Sequence, residues 1–134
     1  VITAVDSSII IDVLEPDPEH GPASREALRR SLREGSLVAC DVVWAEVATA
    51  FGHAQGRAIE ALREMGITYS AMNEEAALRA AECWARFRNR ADRKGRIVAD
   101  FLVGGHALVQ ADRLLTRDRG FYRDYFKPLK LVLP

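Results

Sequence analysis

The chain has 134 residues, 49% hydrophobic and 28% charged, the make-up of one globular domain across 1–134 with a real core, not of a disordered segment. Its 19 basic residues balance 19 acidic ones, so its average field is not that of a strongly basic nucleic-acid binder. No apolar run approaches the ~20 residues of a membrane helix. Val1-Ile2-Thr3-Ala4-Val5-Asp6 has no basic start and reaches an acid at once, unlike a signal peptide, so a cytoplasmic location is expected. Cys40 and Cys83 lie in apolar segments without metal-ligand spacing and are expected as reduced core thiols.

Ile2 to Val5 reads as a short buried strand ending at Asp6, and Ser7 or Ser8 can cap a helix from Ile9 to Leu14. Pro16, Pro18, Gly21 and Pro22 make a loop. Ala23 to Arg33 is an amphipathic helix with Ala27, Leu28 and Leu32 inward, stopped by Gly35. Leu37 to Cys40 is a second strand, and Asp41 caps a helix from Val42 to about Phe51. A helix from Gln55 to Met65 stops at Gly66, and Ile67 to Tyr69 is a third strand. A long helix opens at Ser70 or Asn73 and continues to about Arg90, with Ala77, Ala80, Ala81, Trp84 and Phe87 on one face. Asp92 to Arg96 is a loop, Ile97 to Ala111 a helix and Leu114 to Thr116 a fourth strand. A short helical turn, Phe121 to Phe126, and a strand, Leu129 to Leu133, close the chain. Short apolar strands alternating with helices are the pattern of an α/β domain: a short, mostly parallel sheet with helices on both faces. Ligands bind such sheets outside the carboxyl ends of the strands.

Acids gather at that edge. Asp6 ends the first strand and Asp118 follows the fourth. Glu46 is the sole charge in Val42-Val43-Trp44-Ala45-Glu46-Val47-Ala48, and Asp100 interrupts the apolar run Ile97 to Val103. Four carboxylates on one rim raise one another's pKa, and a divalent cation relieves the conflict. All-oxygen ligands suit a hard ion, Mg²⁺ or Mn²⁺, over Zn²⁺. Metal-assisted attack of water on a phosphodiester is the chemistry that follows. If a metal takes up four acids, 15 remain against 19 basic residues, a balance of +4. Arg86, Arg88, Arg90, Arg93, Lys94 and Arg96 cluster, either as a solvated helix end or as a grip on RNA phosphates or a partner's tail.

Four segments also resemble a known family. Val5-Asp6-Ser7-Ser8, Ala45-Glu46-Val47, Asp100-Phe101-Leu102-Val103-Gly104-Gly105-His106-Ala107 and Leu115-Thr116-Arg117-Asp118-Arg119-Gly120-Phe121 resemble, in order and spacing, the acidic motifs of PIN-domain ribonucleases of the VapC toxin type. The resemblance implies a three-layer α/β/α domain acting as a Mg²⁺-dependent endoribonuclease, the toxin of a type II toxin–antitoxin pair. It further implies a homodimer held inactive by a small DNA-binding VapB-like antitoxin. Asp6 and Asp100 would be the closest metal ligands. Glu46 would orient water or bind metal through water, and Asp118 would support metal or water. Ser7 and Thr116 would position a ligand or phosphate.

Other residues read more plainly. Asp12 is expected at the surface, turned away from Asp6 around its helix. His106 is expected to be packed, not a base, and Asp92, Asp112 and Asp124 to be solvated. Tyr122 and Phe126 are expected in the core. The helices Val42–Phe51 and Gln55–Met65, the latter with an Ile59, Leu62 and Met65 stripe, serve either a dimer interface or the chain's own core. Two other classes of function compete with the nuclease. One is a catalytically silent PIN-like binding module acting through an antitoxin. The other is a receiver-like phosphotransfer domain, which would want a mid-chain phospho-acceptor Asp and a late Lys.

Overall fold

The computed structural model describes residues 1–88 and 98–134. Five strands form one sheet in the order β3-β2-β1-β4-β5, with every neighbouring pair parallel. They are β1 (Ile2–Val5), β2 (Ser36–Cys40), β3 (Ile67–Ser70), β4 (Arg113–Leu115) and β5 (Leu131–Val132). The helices are α1 (Ser7–Leu14), α2 (Gly21–Glu34), α3 (Asp41–Ala50), α4 (Gln55–Glu64), α5 (Glu74–Arg88), α6 (Val98–Gln110) and α7 (Arg119–Tyr125). The α/β class and the parallel sheet agree with the sequence expectation.

β1 is the central strand. From it the chain steps through β2 to β3 on one side, then crosses to place β4 and β5 on the other. Residues Thr3, Ala4 and Val5 of β1 are buried in succession, as are Arg113, Leu114 and Leu115 of β4. That suits strands covered by helices on both faces. Arg113 tolerates burial because its Nε donates to Thr3 Oγ1 at 2.8 Å and its Nη2 meets Glu34 Oε2 at 2.6 Å.

The interface between α5 and α6 depends on small residues. A Cβ on Gly105 would stand 2.5 Å from the Ala76 carbonyl oxygen, and one on Gly104 2.5 Å from the Phe126 ring. The two glycines therefore let α6 approach closely enough for Phe101, fully buried, to stack among Phe87, Phe121 and Tyr125 at centroid distances of 5.3, 5.0 and 5.9 Å. This cluster secures the first turn of α6, where Asp100 stands.

Several expectations need correction. Asp12 is 4% exposed, not at the surface; rotating away from Asp6 carries it into the packed seam with α2, where Ser24 Oγ donates to it at 2.8 Å. Leu32 is 46% exposed, because Ala27 and Leu28 already fill the face of α2 turned to the core. The buried stripe of α5 is Ala76, Ala80, Cys83 and Phe87, leaving Ala77 and Ala81 exposed. Ser7 opens α1 instead of capping it, and Asp41 opens α3, with Asp6 and Cys40 at the caps. Tyr122 and Phe126 are buried, and both cysteines are buried free thiols. Of the basic run, Arg86 donates to Cys83 Sγ and to the Tyr125 carbonyl; its members from Arg90 to Arg96, and Asp92, lie outside the described residues.

Candidate active site

The site forms where the strand order reverses, beside the carboxyl ends of β1 and β4, the place where open parallel sheets bind ligands. The Asp6 amide donates to the Leu115 carbonyl at 3.0 Å, so the β1–β4 ladder runs to the last residue before the site. Thr116, next after β4, is fully buried. Its hydroxyl donates to Asp6 Oδ2 at 2.7 Å and accepts the Asp118 amide at 3.0 Å. One side chain thus fixes a carboxylate on one strand and the backbone of the loop carrying another. Asp118 caps α7, accepting the Phe121 amide at 3.5 Å.

Glu46 reaches the site from the second turn of α3, where Ser7 Oγ donates to its Oε1 at 3.2 Å. Asp100 enters from the first turn of α6. Asp6, Ser7, Ser8, Asp100, Arg117 and Asp118 line an open cleft of about 410 Å³. Ser8 was read from the sequence only as a helix cap; its buried hydroxyl has no hydrogen-bond partner among the described residues.

The charges act on one another. Burial raises the pKa of Asp6, against hydrogen bonds from Thr116 and the Ser7 amide, and repulsion from Asp100 and Asp118 raises it further. Burial also raises Glu46, opposed by the Ser7 hydroxyl and reinforced by Asp6 and Asp100. Beneath them the buried Tyr122 phenol is pushed well above its ordinary range, first by burial and then by the fields of Asp6, Asp100, Asp118 and Glu46 together. All four acids named from the sequence therefore converge on one place, with Ser7 and Thr116 as their hydroxyl partners.

Among the described residues, no three His, Cys, Asp or Glu side chains form a ready-made metal cage. The donor set nonetheless fits a hard cation that keeps most of its waters: the side chains at hand are carboxylates and hydroxyls, and Mg²⁺ commonly uses only one or two carboxylates. Raised carboxyl pKa values mark a site that gains from positive charge.

His106 does not line this cleft. It is 1% exposed, its Nε2 lies 2.9 Å from Ser70 Oγ, and burial lowers its pKa against a pull from Asp41. Asp112 is exposed but accepts the Ile2 amide at 2.7 Å, tying the start of β1 to the start of β4. Asp124 is exposed and pairs with neighbouring Arg123.

No curated protein matches the chain. Solved structures share its fold. A chain of VapBC2 from Rickettsia felis, bound to promoter DNA, superposes with a TM-score of 0.73 at 14% identity, covering 99% of this chain and 98% of that one. A chain of DNA-bound VapBC from Salmonella typhimurium gives 0.71 at 15% identity, with 99% and 98% covered. One of VapBC-1 from nontypeable Haemophilus influenzae gives 0.68 at 24% identity, with 98% and 97% covered. At these identities the likeness is one of fold. The family model for the PIN domain matches residues 3–127, nearly the whole chain and all four acids, and the chain belongs to the PIN domain family.

Proposed function

We propose that the chain is a Mg²⁺-dependent endoribonuclease, with Mn²⁺ as a substitute, and the toxin of a toxin–antitoxin pair acting in the cytoplasm. The observation that carries the reading is the meeting of Asp6, Glu46, Asp100 and Asp118 at the sheet's switch point. The shared fold with chains of VapBC complexes, two of them with DNA, supports a small DNA-binding, VapB-like antitoxin as partner. A homodimer belongs to the same reading, and the exposed apolar side chains of Leu32 and Ile59 are surface it could cover.

Asp6 and Asp100 would hold the cation, with Glu46 and Asp118 in support. Bound there, a hard divalent ion supplies a polarised water and offsets charge on the phosphodiester. The chain's own side chains do the rest. The Thr116 hydroxyl prevents the Asp6 carboxylate from rotating. Glu46, anchored by Ser7 and raised in pKa beside Asp6 and Asp100, is suited to take a proton from the attacking water. Asp118 is held by its own amide's bond to Thr116, so the far wall of the cleft keeps its shape.

Asp6→Asn and Asp100→Asn are each expected to abolish cleavage of total RNA in Mg²⁺ while leaving the circular dichroism spectrum unchanged. Full activity in either variant, or wild-type activity in EDTA, would end the reading. A chain that binds its antitoxin yet cuts no RNA even with Mn²⁺ would instead establish the silent binding module.

A further inference from the structure

Resting on the nuclease reading, we infer that Arg117 is a residue that binds the RNA phosphodiester, and that buried Asp12 is its positioning residue. Arg117 lines the cleft together with Asp6, Asp100 and Asp118. A guanidinium placed among carboxylates would ordinarily fold onto them. Here Asp12 takes it instead: Arg117 Nε lies 2.8 Å from Asp12 Oδ2, and Nη2 donates to Oδ1 at 3.0 Å. Asp12 is itself secured by the hydroxyl of Ser24, which is fully buried.

This two-pronged grip uses one edge of the guanidinium. Asp12 leaves Nη1 and the second Nη2 hydrogen untouched, and the Arg117 side chain is 35% exposed. The outer edge matches two oxygens of a phosphodiester, a geometry that a lysine ammonium cannot reproduce. The electrostatics call for such a group, because three acids line the cleft and repel an anionic backbone. A positive fork kept off those acids draws RNA in without occupying the carboxylates that a metal needs. Asp12, which lines no part of the cleft, thereby acquires a role at the site through Arg117.

The test uses the full chain and a short fluorescein-labelled single-stranded RNA that the wild type cleaves. Binding is measured across a salt series in the Asp100→Asn background, and cleavage kinetics in the otherwise wild-type chain. Adding Arg117→Met is expected to weaken binding about tenfold, a typical loss for a charge-assisted contact. It should also flatten the log–log salt slope by ~0.7, one phosphate's share for a single strand. Arg117→Lys should keep the slope but not the full affinity. Asp12→Asn should raise KM with kcat nearly unchanged. If Arg117→Met destabilises the fold by stranding Asp12, the double variant Asp12→Leu/Arg117→Met removes both charges and should show the same loss of slope. An unchanged slope and affinity in the Met variants of a chain whose wild type cuts RNA, or an unchanged KM in Asp12→Asn, would overturn this inference alone. A wild type that neither binds nor cuts RNA would overturn the proposed function and this inference with it.

Discussion

Thr116→Val tests the junction between Asp6 and Asp118 directly, because valine keeps the volume of a fully buried side chain and removes only the hydroxyl. Two bonds go: the 2.7 Å bond to Asp6 Oδ2 and the 3.0 Å bond from the Asp118 amide. A hydrogen bond to a charged group contributes about 1.5–3 kcal/mol and a neutral one about 0.5–1.5. With Asp118 part-exposed, a loss of about 2–3 kcal/mol near neutral pH follows. At this chain length that lowers Tm by about 6–12 °C. The loss has a pH signature. Asp6's folded pKa already lies above 3.8, and the Thr116 bond favours the ionised form, so removing it raises the pKa further. The hydroxyl's contribution through Asp6 is fully present above the folded pKa values and disappears as pH falls through them. Only the Asp118 amide's share persists in acid. Urea unfolding at about pH 7.5 and about pH 4, with metal removed, measures both parts, and Thr116→Ser should restore most of the loss. A Thr116→Val variant as stable as the wild type, or equally weakened at both pH values, would refute the reasoning.

Burial, with the repulsion of Asp100 and Asp118 added to it, makes the ionised Asp6 a liability for the metal-free fold. Asp6→Asn should raise Tm in EDTA at neutral pH, with the gain shrinking as pH falls below the raised folded pKa of Asp6 and gone below its ordinary value of 3.8, and Mg²⁺ should raise Tm for the wild type but less for this variant; thermal melts by circular dichroism check both. Gly105→Ala places a methyl group against the Ala76 carbonyl and should cost about 2 kcal/mol or more, measured by urea denaturation, whereas alanine at a well-tolerated helical position would have been stabilising.

The parallel sheet was legible because short apolar strands alternate with helices. Asp6, Glu46, Asp100 and Asp118 were legible because each interrupts or ends an apolar stretch, where a carboxylate needs a reason to be. Asp12 interrupts an apolar stretch too, yet it was assigned to the surface. A helical projection gives the direction of a side chain but not what covers that direction. Here the cover is α2, and the stabilising partner, Arg117, lies 105 residues later. Arg113 was hidden for a similar reason: its charge is satisfied by Thr3 and by Glu34, 110 and 79 positions away. The buried face of α5 differs from the expected one because Gly105 lets α6 close onto Ala76 and Ala80. Ser8 gave no signal, since a serine after a strand-end acid reads as a helix start.

The sheet order has a consequence for synthesis at the ribosome. Through Gln110 a growing polypeptide already holds Asp6, Glu46 and Asp100, but β1 still lacks its β4 neighbour. Without Thr116, Asp6 lacks the hydroxyl that holds its Oδ2 and keeps only the Ser7 amide, and the wall bearing Arg117 and Asp118 does not exist. On the proposed nuclease reading, the polypeptide would therefore lack a complete cleft until the segment carrying β4, Thr116, Arg117 and Asp118 follows the other three acids out of the ribosome.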